Sequence, residues 1–178
     1  MNTLRLLKVQ TPALRLGARR FGAHTFVAVQ DRAGRIVREL HGIARGPGGA
    51  QLPFVGGLAP FRREVIWGED YPHRTGFYDE AHPQGPLFEG LEAQVAEKLA
   101  AAEAARAAVN AQAMRYPWPA VRGGNSNSYY ATLLAAMGLQ DVRLPGELWA
   151  PGLARPLRLR PESPPSSCRE AAPAAGAG

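Results

Sequence analysis

Two early runs of the chain are dense in β-branched and aromatic residues: His24-Thr-Phe-Val-Ala-Val-Gln30 and Arg35-Ile-Val-Arg-Glu-Leu-His-Gly-Ile43. The compact turn signal Asp31-Arg-Ala-Gly34 separates them, which predicts a β-hairpin. An earlier run, Thr3 to Val9, predicts a first strand closed by the turn-forming Gln10-Thr11-Pro12. After a Gly/Pro-rich stretch, Gly46 to Pro60, the run Phe61 to Gly68 predicts a further strand. Residues 69–86 then read as a long polar and aromatic loop, a length that in compact domains usually marks function or disorder.

From Phe88 to Met114 the period changes. Leu91, Val95, Leu99, Ala102, Ala105, Val109 and Ala113 recur at steps of four and three, the stripe of an Ala-rich helix. Tyr116-Pro-Trp-Pro119 stops it. A second helix is predicted from Asn127 to Met137, with Gly138 as its terminator. Beyond Leu144-Pro145 one or two short extended pieces are expected. From Arg160 onward, SPPSS and AAPAAGAG read as a disordered tail. The pattern thus predicts an α+β domain over residues 1–159, a small antiparallel sheet packed on two or more helices, followed by the tail, 160–178.

Length and composition narrow the classes. At 178 residues the chain suffices for one domain of ordinary size. A single cysteine, Cys168, excludes an intramolecular disulfide framework and a cysteine-rich zinc site. No apolar run approaches the roughly 18 residues of a membrane span. The net charge of +6 suggests nucleic acid, but its distribution argues against that. The 21 basic residues include only Lys8 and Lys98 as lysines, the look of GC-rich bacterial coding. The excess sits at the two ends, and no aromatic-interleaved basic stripe accompanies it, so no nucleic-acid partner is expected. The Arg-rich start lacks an h-region, so a Sec signal is not expected. The default location is the cytoplasm, with secretion by a route other than Sec as the alternative. Oligomeric state leaves no mark on the sequence.

The most informative segment is Gly123-Gly-Asn-Ser-Asn-Ser-Tyr-Tyr-Ala-Thr-Leu-Leu134. Two glycines permit a tight turn, and small polar residues stand where a helix begins. Free N–H groups and the positive end of the helix dipole suit a nucleophile and its oxyanion. The plainer alternative is a doubly capped helix, since Asn and Ser are favoured N-caps.

The segment resembles the nucleophile motif of the circularly permuted papain-like fold, as in PPPDE-type deSUMOylating isopeptidases, lecithin:retinol acyltransferase-like proteins and the wider NlpC-like superfamily. There a histidine opens an early strand, and an Asn-Cys-Asn-x-Phe-like motif opens a later helix. Here His24 opens the strand, Tyr116 precedes the motif, and Asn125-Ser126-Asn127-Ser128-Tyr129 takes the motif's place. The likeness covers about residues 20–45 and 115–140. It implies hydrolysis of an amide, ester or thioester bond, or acyl transfer, through a covalent intermediate and without a cofactor. The substrate would be a peptide, a protein or an acyl compound. One departure matters: Ser126 stands where the family has cysteine. A helix N-terminus and a nearby imidazolium ionise a thiol, bringing its pKa to roughly 3.5–7.5. They cannot ionise a serine hydroxyl, so Ser126 needs His24 as a true general base. Cys168, in the tail, is no substitute.

A third group should orient that base. A turn centred on Ala33-Gly34 predicts that Phe26 faces His41 and Ala28 faces Glu39. His24, Glu39 and His41 then share one face, and in the resembling families the orienting residue also comes from the strand after the histidine. His41 is the expected orienter and Glu39 the reserve. A partly buried strand histidine is the alternative for His41. Asn125 and Asn127 are candidate oxyanion donors that also suit capping. In the loop, Tyr71, Phe77 and Tyr78 suit a substrate rim. His73, His82 and the carboxylates of Glu69, Asp70, Asp79 and Glu80 have no metal-ligand spacing, so no metal site is expected. Two functions remain: a serine hydrolase or acyltransferase, and a catalytically silent member of the fold that binds a peptide, an acyl group or a protein.

Overall fold

A computed structural model describes residues 2–16, 19–50, 64–117 and 124–160. Five strands form one antiparallel sheet: β1 (Thr3–Leu16), β2 (Arg19–Gln30), β3 (Ile36–Arg45), β4 (Val65–Tyr71) and β5 (Gln84–Leu91). Their spatial order is β4-β3-β2-β1-β5. Two helices follow, α1 (Glu92–Gln112) and α2 (Ser126–Met137). The fold is α+β, with both helices packed on one face of the sheet.

The β2–β3 turn behaves as its residues require. Asp31 Oδ1 accepts from the backbone N–H groups of Ala33 and Arg35, an Asx-type closure. Gly34 takes the left-handed conformation at φ +80°. Across this turn Val27 faces Leu40, Ala28 faces Glu39 and Val29 faces Arg38. That is the register read from the sequence.

Other boundaries differ for identifiable reasons. β1 does not stop at Val9 but runs on to Leu16 through Pro12, which faces Ala23. The β1–β5 pairing covers only Thr3 to Val9, so beyond it β1 pairs on one side alone and a missing N–H costs no ladder bond. The expected strand at 61–68 is β4, shifted to Val65–Tyr71; residues 61–63 lie outside the described set. The 69–86 loop shrinks because β4 takes its first three residues and β5 its last three. α1 starts at Glu92 rather than Phe88, because 84–91 is held as an edge strand against β1. Gln94 Oε1 accepts from the Leu91 N–H and marks the switch.

Alternation divides the core. Leu6, Val27, Leu40 and Ile66 point toward the helices and pack with Val95, Val109, Tyr129 and Leu133. Leu7, Val9, Phe26 and Ala28 point the other way and pack with Ile36 and Tyr78. Gly42 lets α2 lie close on β3: a Cβ there would stand 2.5 Å from Tyr129 Cβ, and one on Gly68 would meet the Tyr129 hydroxyl.

No strand forms among the described residues after Leu144, contrary to the expected extended pieces. That segment is fastened by side chains instead. Lys8, buried on β1, donates to Asp141 Oδ2 at 3.0 Å, Glu147 Oε1 at 2.6 Å and the Val142 carbonyl at 2.7 Å. Gln10 Oε1 accepts from Leu148 N, and Thr132 Oγ1 from Leu157 N. Residues 161–178, including Cys168, lie outside the described set. Among the described residues no helix is long and apolar enough to cross a membrane.

Candidate active site

Three of the residues singled out from the sequence share the sheet face opposite the helices. His24 Nε2 lies 2.9 Å from His41 Nδ1, and His41 Nε2 lies 2.7 Å from Glu39 Oε2. All three side chains are buried. The chain of contacts ends on Thr75, whose N–H donates to Glu39 Oε1 at 2.8 Å and whose hydroxyl donates to Oε2 at 2.5 Å. Aromatic rings enclose it. Phe26 stacks on His41 at 4.2 Å between centroids, Tyr71 meets His41 edge-on, and Phe77 tilts over both histidines at 5.4 and 5.0 Å.

This enclosure sets the protonation states. Burial, reinforced by the neighbouring His41, lowers the His24 imidazole to about 3. Burial likewise lowers His41, against the upward pull of Glu39. For Glu39 burial acts to raise the carboxyl, but hydrogen bonds from His41 and Thr75 outweigh it and hold it below its ordinary value. At neutral pH the unit is therefore one carboxylate and two neutral imidazoles. An ionised Glu39 accepts from His41 Nε2–H, so His41 Nδ1 is an acceptor and takes the His24 Nε2–H. The basic lone pair of the whole chain is then His24 Nδ1.

The same shifts make folding pH-dependent. The folded pKa values of His24 and His41 lie below the unfolded 6.5, so between these limits the unfolded chain binds more protons. Their contribution is complete above about pH 6.5 and declines as the pH falls below it. Urea unfolding at about pH 5.5 should show roughly 2 kcal/mol less stability than at about pH 7.5. Replacing both histidines by glutamine should flatten the difference.

The start of α2 is the second half of the site. Asn125 is the N-cap, its Oδ1 accepting from Asn127 N–H and Ser128 N–H and its Nδ2 donating to the Pro151 carbonyl. Asn127 reaches the sheet. Its Oδ1 accepts from Thr25 N–H at 2.9 Å and its Nδ2 donates to the Ala23 carbonyl at 2.9 Å and the Pro151 carbonyl at 3.1 Å. The paired stretch of β2 and β3 begins only at Val27–Leu40, so Asn127 fills the ladder where the two strands part. It thereby fixes Ser126, its chain neighbour, to the backbone on both sides of His24. The Ser126 hydroxyl and backbone N–H engage the Tyr116 hydroxyl and oppose the rise that burial imposes on that phenol.

These contacts place each residue read from the sequence. His24, His41 and Glu39 form one hydrogen-bonded unit. Ser126 opens α2 on the helix-bearing side of the sheet, and its hydroxyl engages Tyr116; among the described residues no hydrogen bond joins it to His24, whose ring lies on the opposite face. The side-chain amides of Asn125 and Asn127 are engaged in capping and in bridging to β2. Of the rim residues, Phe77 is 40% exposed and flanks both histidines, and Tyr71 flanks His41. Tyr78 is buried instead: its ring packs with Phe26 and Val9 and its hydroxyl donates to Gln84 Oε1. Thr75 was not legible as a site residue, because a lone threonine in a polar loop carries no spacing signal. No group of three or more His, Cys, Asp or Glu suited to a metal ion occurs among the described residues.

Comparison of the chain with family models, with curated proteins and with solved structures finds no match.

Proposed function

We propose that this protein is a hydrolase or acyltransferase of permuted papain-like type that cleaves an amide, ester or thioester through a covalent intermediate on Ser126. The observation that carries this reading is the buried Glu39–His41–His24 chain, which leaves one unprotonated ring nitrogen on the strand to which Asn127 pins the helix start. In this mechanism the Ser126 hydroxyl turns from Tyr116 to His24 Nδ1, which takes its proton as the hydroxyl oxygen attacks the acyl carbon and returns it to the leaving group. His41 holds the His24 ring in the required tautomer and Glu39 does the same for His41. Transition-state charge on the His24 imidazolium is answered by the Glu39 carboxylate through His41. The substrate is a peptide, a protein or an acyl compound entering beside Phe77 and Tyr71. The apolar enclosure strengthens these electrostatic terms.

A second reading has its own support. The Asn127 and Ser128 N–H groups of α2 are taken by the Asn125 cap, and the Ser126 hydroxyl rests on Tyr116. A cleft with those donors occupied suits a silent binding domain. Labelling of the purified protein with a fluorophosphonate separates the two. Wild-type protein should label, Ser126→Ala should not, and His24→Ala should label at least about 100-fold more slowly, the scale of a lost general base. An unlabelled wild type whose Ser126→Cys variant reacts with thiol probes faster than Cys168 would favour the binding domain.

A further inference from the structure

Every member of the buried chain except the last is a residue whose side chain titrates. The last is Thr75, in the segment between β4 and β5, and both of its donors are spent on Glu39. Its hydroxyl in turn accepts the Phe77 N–H at 3.1 Å, so the hydroxyl proton is committed to the carboxylate. A buried carboxylate held by two donors from one residue, with a third from His41, is fixed both in orientation and in charge.

We infer that Thr75 is a positioning residue that sets the direction of the proton chain, and with it whether His24 presents a base or a donor. This rests on the reading of His24 as the base, although the tautomers it concerns exist with or without catalysis. The chain has two neutral-histidine states. With Glu39 ionised, protons sit on His41 Nε2 and His24 Nε2, and His24 Nδ1 is bare. Addition of one proton reverses it. The proton enters at His24 Nδ1, the His24 Nε2 proton passes to His41 Nδ1, and the His41 Nε2 proton passes to Glu39. Glu39 is then a carboxylic acid that donates to His41 Nε2, and His24 Nδ1–H has become a donor. Both imidazoles stay uncharged throughout, which suits their burial.

The Thr75 donors oppose that reversal, because the Oγ–H and the N–H both favour the anion. Other charges face the unit from each neighbouring element. His24 and the Glu39–His41 pair are its own members on β2 and β3. From β3 and β4, Arg45 and Glu69 pair with one another beside His41 and Tyr71. From the loop, Tyr78 lies near Glu39, and the exposed Arg74 and Glu80 lie beside Tyr78. The Arg45–Glu69 and Arg74–Glu80 contacts each join opposite charges and so largely cancel. The direct donors to Glu39 therefore decide the state.

The test is nitrogen-15 NMR of protein labelled in histidine, with His24→Gln and His41→Gln spectra for assignment, on wild type, Thr75→Ser and Thr75→Val. In wild type at neutral pH both rings should carry the proton on Nε2. In Thr75→Val, which keeps the N–H and loses the hydroxyl, the reversal should occur at a pH higher by about one unit or more, the size set by loss of a hydrogen bond to a charged group. Thr75→Ser should restore the wild-type midpoint. A wild-type His24 carrying its proton on Nδ1 would overturn the inference without any variant. So would a folded Thr75→Val with an unchanged midpoint. Fluorophosphonate labelling of the same set keeps the two claims apart. Absence of labelling in wild type with the expected tautomers defeats the hydrolase reading and leaves this one standing. Normal labelling with a Thr75-independent midpoint does the reverse.

Discussion

Asn127→Ala should lose about 3 kcal/mol of folding stability, chiefly from two buried hydrogen bonds to β2 at roughly 1–1.5 kcal/mol each. The groups abandoned are Thr25 N–H and the Ala23 carbonyl, whereas the Pro151 carbonyl keeps the Asn125 amide as a donor. Alanine reaches none of them, and burial keeps water from replacing the amide at β2. On a chain of this size each kcal/mol moves Tm by roughly 2–4 °C, so the melting point should fall by about 9 °C. Asn127→Asp is the informative control. It keeps an acceptor for Thr25 but places an anion against two carbonyl oxygens, so it should be no more stable than the alanine variant. Urea unfolding gives the energies, and amide exchange at Thr25 locates the damage. A loss below about 1 kcal/mol would mean that the strands close without the asparagine.

Gly42→Ala should cost about 3 kcal/mol, at the upper end for overpacking. The new methyl would stand within 2.5–2.6 Å of Tyr129 Cβ, Cγ and Cδ1, atoms at the stem of the ring. A long flexible side chain yields to such a contact, but the base of a buried tyrosine on a helix moves only with the helix. α2 must therefore back away from β3, loosening the packing of Leu133 and Val109 as well. In a Tyr129→Gly background, which removes Cβ, Cγ and Cδ1 together, the same Gly42→Ala change should cost less than about 1 kcal/mol. The difference is the coupling energy of the contact, measured by a double-mutant cycle. Additive effects would show that the close approach of α2 is not what demands glycine at position 42.

The parts of this molecule that were legible in the sequence are those whose cause is local. The β2–β3 register follows from a turn of four residues closed by Asp31 and Gly34, and once the register is known, His24, Glu39 and His41 must share a face. The start of α2 follows from Asn125, whose side chain caps it. What was not legible depends on partners distant in the chain. Pro12 reads as a strand end unless β5 is known to stop short of it. Phe88 and Leu91 fit the helical stripe equally well, and only pairing with β1 draws them into an edge strand. Tyr78 and Phe77 are adjacent aromatic residues in one loop. The sheet buries the first and leaves the second at the surface, a choice made by Phe26 and Val9 rather than by anything in the loop. Thr75 gains its meaning solely from Glu39, 36 residues earlier.

The asparagine plug between β2 and β3 also orders events in time. Residues 3–45 supply three sequential strands joined by short connections, the kind of local topology that forms early. Yet beyond Val27 the facing edges of β2 and β3 part company, and the amide that occupies the opening belongs to a residue 102 positions after Thr25. A ribosome-bound chain that has not yet delivered Asn127 therefore holds the strand around His24 with its Ala23 carbonyl and Thr25 N–H unfilled. The hairpin is free to assemble the Glu39–His41–His24 row on its own, but the backbone beneath His24 is locked only when α2 docks. Completion of the sheet and completion of the site are thus a single late step.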